Sequence, residues 1–334
     1  MGLNPKYVIT GAVVNNIAEI ERMKGLMQGI SISEKNLLKL QSLNADMESH
    51  YSTHIEGTTL TLKQSRDILS GKKLKGLDKN DLLELRNYKK ALDSVSSEKK
   101  TAISEALLKK THDTLVKGVR GDMASPGKYR KIQNYVVNAA TGDVVHTPPS
   151  PDAVPAMMKE LVRWINSANK INPVIVSAVA QFQLVHIHPF RDGNGRLARI
   201  LSMMVLFSRG YDFKKLFRLS EYYDKDRQAY YDAIQSARES GMNLTGWLEY
   251  YTSGLKEQLL DAGRVIVKGS EKGSEKSSEK IIAFLLKKPG ISAVVMAESL
   301  GLSSRAVEKH LSNLKKQGEI KRIGPDKGGK WQVV

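Results

Sequence analysis

Apolar positions recur at helical spacing along most of the chain. In SEKNLLKLQSLNADMESHYS they fall at Leu37, Leu38, Leu40 and Leu43, and LTLKQSRDILSG ends at Gly71, a C-cap position. DKNDLLELRNYKKALDSV and TAISEALLKKTHDTLVKG predict two further amphipathic helices, the second stopping at Gly118. After SPDAVPAMMKELVRWINS comes the nearly uncharged NPVIVSAVAQFQLVHIH, which predicts a buried central helix. RLARILSMMVLFSRG, RQAYYDAIQSARES and LTGWLEYYTSGLKEQLLDA continue the helical pattern. Only residues 129–151 depart from it. Val136 and Val137, then Gly142-Asp143, then Val144 and Val145 predict a short hairpin, closed by Pro148, Pro149 and Pro151.

The pattern breaks at KGSEKGSEKSSEK, Lys268 to Lys280, which has no apolar residue to bury. A flexible linker is the simplest reading, although alternating Lys and Glu also allow a helix to extend through it. Beyond it a helix over Ile281 to Leu286 ends at Pro289-Gly290, and SAVVMAESLG predicts a second helix that turns at Gly301. Ser303 is a good N-cap for a third, SRAVEKHLSNLKKQG, followed by the β segments EIKRIG and KWQVV. Helix-turn-helix plus hairpin resembles a winged-helix domain. Ser304, Arg305, Lys309 and His310 would meet a DNA major groove, with Lys327 and Lys330 on phosphates. Winged helices also dimerise or bind protein, so DNA is an expectation that the fold alone does not prove.

Composition sharpens this picture. The 334 residues suit two or three domains, and 41% hydrophobic content allows an ordinary core. The absence of cysteine excludes disulfides, thiolate metal sites and cysteine nucleophiles, and fits a reducing compartment. No apolar run is long enough to span a bilayer, and the opening residues lack a leader pattern, so a cytoplasmic protein without a membrane partner is expected. The net charge of +17 suggests contact with polyanions, and +8 of it lies from Arg264 onward, in roughly a fifth of the chain.

The densest chemistry is VHIHPFRDGNGRLARI, residues 185–200. An apolar helix delivers His188 to its end, Pro189 blocks simple continuation, and Gly193 and Gly195 permit unusual backbone angles before a second helix begins near Arg196. The N-terminus of that helix suits phosphate. Asn194 and Arg196 add donors, Asp192 could hold a magnesium ion bridging phosphate oxygens, and Arg199 extends the positive wall. His188, neutral near pH 7, could take a proton from an incoming hydroxyl. His186 and His188 could instead form a metal pair, but no third ligand lies at useful spacing, so His186 reads as a satisfied core or supporting histidine. The parts together describe a phosphate-transfer site.

HPFRDGNGR with Arg199 three residues on is similar to the signature of the Fic family (filamentation induced by cyclic AMP), HPFxDGNGRxxR, at every specified position. The resemblance implies a mainly α fold: an all-helical Fic core with a short β-hairpin flap, and here a C-terminal winged helix-turn-helix domain. It implies transfer of the AMP part of ATP to a protein Ser, Thr or Tyr hydroxyl, with magnesium as cofactor. His188 would be the general base, Phe190 a buried anchor and Asp192 the magnesium residue. Gly193, Asn194, Gly195 and Arg196 would form the anion hole, and Arg199 would hold the terminal phosphate. Gly195 argues against the Doc-type kinases, which carry a larger basic residue there.

SHYSTHIEGTTL, residues 49–60, gains meaning beside that core. Alone, Ser52 and Glu56 four apart read as a solvated helix face. With Gly57 they resemble the family's inhibitory motif, (S/T)xxxE(G/N), which implies that Glu56 pairs with Arg199 in place of the γ-phosphate. Tyr230 and Tyr231 resemble the family's adenine-side tyrosines, although aromatics at helical positions are more often core. Where some relatives place an asparagine, this chain has Arg238. The expected organisation is an N-terminal helical region, 1–100, with an inhibitory helix at about 40–57. A catalytic core (101–265), a polar linker (266–280) and the winged helix (281–334) follow. The hairpin at 136–146 would be the flap on which a protein target lies as an added strand. A homodimer is compatible with this organisation. So are two other activities: a DNA-binding regulator whose Fic body senses nucleotide, and an enzyme working mainly to remove AMP.

Overall fold

The computed structural model of the chain describes residues 2–30, 32–97, 102–137, 141–325 and 329–334, the side chains of 97, 267–276 and 279 excepted. It divides into two compact units, Met1–Gly263 and Arg264–Val334.

The first unit is built from helices. α1 (Gly11–Gly29) starts at Thr10, whose side chain accepts from Val13 N, and buries Val13, Ile20, Met23 and Met27. α2 (Glu34–Ile55) is capped by Ser33, and α3 (Leu62–Leu69) by a capping box of Thr61 and Gln64. α4 (Lys79–Ser97) and α5 (Glu105–Val116) follow. The hairpin pairs β1 (Val136–Val137) antiparallel with β2 (Val144–His146), Val136 opposite His146. Residues 138–140 of the expected flap lie outside the described residues. Then come α6 (Val154–Ser167), α7 (Pro173–Ile187), α8 (Asn194–Ser208), α9 (Leu219–Lys225), α10 (Arg227–Glu239) and α11 (Thr245–Lys287).

α7 is the axis of this unit. Val174 through Leu184 are buried without a gap, which is why the segment shows no polar stripe. It packs on α6 and α8. Its few polar side chains find partners inside: Ser177 Oγ lies 2.6 Å from Tyr251 Oη, and Trp247 Nε1 donates to the Ala178 carbonyl at 2.8 Å.

α2 departs from the pattern read in the sequence. Leu38, part of the supposed apolar stripe, is 57% exposed, whereas Asn44, Glu48, Ser49, His50, Ser52 and Thr53 are buried. Burying polar groups costs stability unless each is paired. Here Asn44 Nδ2 donates to the Lys215 and Phe217 carbonyls at 3.1 and 2.9 Å, and His50 Nδ1 sits 2.9 Å from Ser65 Oγ. The carbonyls that Asn44 grips belong to a segment in which Phe213, Lys214 and Lys215 are all left-handed, at φ 45°, 53° and 58°. α2 is thus held on α4 and α9 by its polar face.

In the second unit, the end of α11 joins α12 (Ala293–Leu300) and α13 (Ser304–Lys316) around Ile281, Leu285, Met296, Val307 and Leu314. Gly301 turns the chain at φ 63°, and Ser303 caps α13. β3 (Ile320–Ile323) pairs antiparallel with β4 (Lys330–Val333), with the Arg322 guanidinium 4.9 Å from the Trp331 ring centroid. Arg305 and Lys309 are exposed on α13, but His310 turns to Ser278, Nδ1 to Oγ 3.2 Å. Lys327 lies outside the described residues. The backbone of the Gly/Ser/Glu/Lys repeat falls within α11. No helix among the described residues is long and apolar enough to cross a membrane.

Candidate active site

The turn between α7 and α8 is held by contacts from other segments. His188 ends α7 in the left-handed region, φ 49° and ψ 58°, with its N–H on the Leu184 carbonyl at 2.9 Å. Phe190 is fully buried and stacks on His112, centroids 3.7 Å apart and planes 10° apart. Gly127 N donates to His112 Nδ1 at 3.0 Å, so Nε2 carries the proton and donates to the Asp192 carbonyl at 2.9 Å. Burial pushes His112 down to about 4, which keeps that tautomer neutral. The buried Arg130 closes the other side. Its Nε donates to the His188 carbonyl at 2.9 Å, and its Nη2 reaches the Pro149 carbonyl at the base of the flap.

The His188 ring has the tautomer that a base requires. Its Nδ1 faces the Val185 carbonyl at 3.3 Å, an acceptor only, so Nδ1 carries the proton and Nε2 the lone pair. Burial lowers its pKa to about 4, with His146 and Arg238 adding to the effect and the Val185 carbonyl and Glu56 opposing it. The imidazole is therefore neutral near pH 7.

At the start of α8, the N–H groups of Asn194, Gly195 and Arg196 have no partner inside the helix and can seat an anion. Gly193 is left-handed at φ 78°, and a Cβ there would come 2.8 Å from Val116 Cγ1. A Cβ on Gly195 would come 2.3 Å from Glu56 Oε1, so only glycine lets that carboxylate rest on the seat. Most of the side-chain donors expected there are committed elsewhere. Asn194 clamps Phe190: Oδ1 accepts from its N–H and Nδ2 donates to its carbonyl, both at 2.9 Å. Arg196, 1% exposed, donates from Nη1 to Glu84 Oε2 at 2.7 Å and from Nη2 to Asp192 Oδ1 at 3.1 Å. A residue of α4 thus pairs with the first arginine, whose Nε is buried with no hydrogen-bond partner among the described residues. Burial would raise the Asp192 carboxyl, but Arg196, the Gly193 N–H and Arg120 together hold it below the usual carboxylate range.

Arg199, the second arginine, reaches the end of α2. Its Nε donates to Ser52 Oγ at 2.7 Å, and Nη2 donates to the Ser52 carbonyl and to Glu56 Oε1, both at 2.8 Å. Burial by itself would lower its pKa, but Glu56, Tyr230 and Tyr88 more than offset that and hold the guanidinium charged. Glu56 stands just past the last turn of α2, and Gly57 takes φ 103° to let the chain leave. Two turns back, the buried Glu48 accepts from Ser220 and from Tyr88, and burial pushes its carboxyl up to about 7.

The two tyrosines separate. Tyr230 is 2% exposed, stacked on Tyr223 at 4.3 Å, whereas Tyr231 leaves 47% of its surface open beside the Ile55 carbonyl. His186 is not the satisfied histidine expected, since its Nδ1 is buried without a hydrogen-bond partner among the described residues. Its carbonyl accepts from His146 Nε2 at 2.9 Å, which ties β2 to α7. Arg238 lies beside the base, Nη2 3.5 Å from the Val185 carbonyl, and burial lowers it to about 10. Glu48, Glu84, His112, Arg120 and Arg130 carried no signal in the sequence. Each acts through partners far along the chain, and a single such residue has no local spacing to betray it.

Residues 102–207 match the Fic/DOC family model, and residues 275–321 match a winged helix-turn-helix DNA-binding model. The protein adenylyltransferase Fic of Aedes aegypti is 32% identical over 217 residues, 63% of this chain and 40% of that protein. The protein of the same name in Drosophila yakuba is 34% identical over 168 residues, 48% of this chain and 32% of that protein. The chain therefore spans well under half the length of these relatives. Among solved structures, a Fic family protein from Desulfovibrio desulfuricans superposes with a TM-score of 0.70 at 24% identity, covering 99% of this chain and 98% of that one. A Fic domain containing signaling protein from Bacteroides thetaiotaomicron superposes at 0.64 with 25% identity, covering 77% and 97%. The left-handed His188, the glycine-lined anion seat and the two arginines of α8 accordingly belong to a Fic domain, which this chain carries together with a C-terminal winged helix.

Proposed function

We propose that this chain transfers AMP from ATP to a hydroxyl of a protein Ser, Thr or Tyr residue, and that Glu56 restrains it. The observation that carries this reading is the neutral His188, its Nε2 lone pair free, at the same turn as a backbone anion seat. The names of its relatives, protein adenylyltransferases, favour AMP as the group transferred.

The target segment lies along the β1–β2 flap, and its hydroxyl approaches His188. Nε2 takes the hydroxyl proton as the oxygen bonds to the α-phosphorus; the bond to the bridging oxygen breaks and pyrophosphate leaves. The N–H groups of Asn194, Gly195 and Arg196 meet the charge on the phosphates, and Arg199 holds the terminal one. Tyr231, half exposed beside the end of α2, borders the adenine. Magnesium fits Asp192, whose ionised carboxylate keeps 39% of its side-chain surface open, the donor type that ion takes along with substrate phosphates. When bound, the ion would neutralise phosphate charge.

The test uses ATP labelled at either end. Label at the α-phosphate is expected to stay on protein, and label at the γ-phosphate to leave as pyrophosphate. Protein carrying γ-label would make this a kinase, and no retained label from either, in Glu56→Gly as well as in the wild type, would leave a nucleotide sensor.

The second unit reads as a DNA-binding element, on the strength of its winged-helix match and the exposed Arg305 and Lys309 of α13. In a mobility-shift assay with duplex DNA, binding is expected to weaken steeply between about 50 and about 200 mM salt. No shift at the lower salt would remove DNA from the partners.

A further inference from the structure

Arg120 pairs with the Asp192 carboxylate from outside the family signature. It belongs to a short 3-10 turn, Val119–Asp122, in which Arg120, Gly121 and Asp122 are all left-handed, at φ 47°, 65° and 61°. Such a run is costly for non-glycine residues and persists only where surrounding contacts enforce it. Two contacts do so: Arg120 N donates to Asn80 Oδ1 at 2.9 Å, and Gly118 N to Asp122 Oδ1 at 2.6 Å. The result aims the guanidinium at two carboxylates.

The four charges close a ring. Arg196 Nη1 meets Glu84 Oε2 at 2.7 Å and Arg196 Nη2 meets Asp192 Oδ1 at 3.1 Å. Arg120 Nη1 meets Asp192 Oδ2 at 3.1 Å and Arg120 Nη2 meets Glu84 Oε1 at 3.1 Å. Each arginine bridges both acids. They differ in burial, however: the Arg196 side chain is 2% exposed and that of Arg120 53%. One half of the ring is fixed in the core, and the other can swing out to water.

We propose that Arg120 is a built-in stand-in for the divalent cation: its guanidinium bridges Asp192 and Glu84 on the open side of the ring and has to withdraw when the nucleotide's metal ion arrives. The inference rests on reading Asp192 as the metal-holding residue. Three features carry it. Oδ1 of Asp192 is held by the buried Arg196, so Oδ2 is the oxygen available to an ion, and Arg120 occupies it. A divalent ion added beside an unmoved guanidinium would face a like charge across one carboxylate. The exposure of Arg120 supplies the exit. The device makes metal entry competitive, so the ring stays neutral until a metal-bearing nucleotide displaces one arm.

The probe is Mn2+ titrated into the full chain in the presence of ADP, with free Mn2+ read by electron paramagnetic resonance. ADP lacks the γ-phosphate with which Glu56 would compete, and Glu56 is unchanged in every protein compared, so the brake acts alike on all of them. Arg120→Ala is expected to tighten Mn2+ binding about threefold, a modest gain because the displaced pair is partly exposed. Arg120→Lys, which keeps a charge but loses the two-pronged bridge, is expected to fall between. Calorimetry with ADP in EDTA should give the same affinity for wild type and Arg120→Ala. Unchanged or weaker Mn2+ binding in Arg120→Ala, while Asp192→Asn abolishes it, overturns the stand-in and leaves the metal reading intact. Mn2+ binding unaffected by Asp192→Asn overturns both. Loss of metal-free ADP affinity in Arg120→Ala makes the residue a phosphate ligand and overturns the stand-in.

Discussion

Replacing His188 by alanine is expected to lower AMP transfer by about 10²–10⁴-fold while ATP affinity stays near that of the wild type. The asymmetry follows from the site. The ring is placed by the backbone of α7 and by Arg130, and among the described residues its ring hydrogen-bonds to the Val185 carbonyl. Removing it therefore leaves the anion seat and Arg199 in place. Single-turnover transfer and equilibrium ATP binding, measured side by side, check this. A variant that keeps half the wild-type rate would show that His188 is not the base. The pH profile supplies an independent check. A buried imidazole with its pKa lowered to about 4 is lost as a base only when pH falls through that value. The acid limb of kcat/KM should therefore lie near 4, with no break at the ordinary histidine range. A limb near 6.5 would contradict the burial argument.

Replacing Glu56 by glycine is expected to raise self-labelling from ATP by about 10²-fold, the scale of penalty for a reacting group displaced by an ångström or so. In the resting chain the Glu56 carboxylate lies against Arg199 Nη2 at 2.8 Å and fills the space above Gly195. On the proposed reading, a terminal phosphate and this carboxylate would compete for one guanidinium, and the loser would be pushed out of line. Glycine removes both charge and volume, and Arg199 keeps its two bonds to Ser52. Glu56→Gln removes the charge but keeps the bulk, so it should activate less. Labelling rates of the three proteins at equal ATP decide the matter. Equal rates in all three would mean that the Arg199–Glu56 pair is not a brake.

Much of this site is contiguous in the chain, and that is why it was legible. A histidine, a proline, two glycines and three arginines within residues 188–199 state their geometry locally, because helix ends and left-handed turns follow rules that span only a few residues. The same holds for the second unit, where Ser303 and Gly301 mark the ends of helices whose apolar faces close their own core. α1 and α9 escaped notice, although Val13, Ile20, Met23 and Met27 lie along one side of α1.

What the sequence determined by itself was the helical class, the turn that bears His188, the order of its polar groups and the division before the basic tail. The tertiary structure alone decided which polar groups are buried and what they serve. It turned the leucines of α2 partly outward and its Asn44, Glu48 and Ser52 inward. It gave Arg196 to Glu84, turned the Asn194 side chain onto Phe190, and brought Arg120 onto Asp192 from 72 residues away. The reason is energetic. An apolar residue gains by burial against almost any neighbour, so its pattern announces a fate. A polar or charged one is tolerated inside only where a specific partner meets it, and that partner is supplied by the fold.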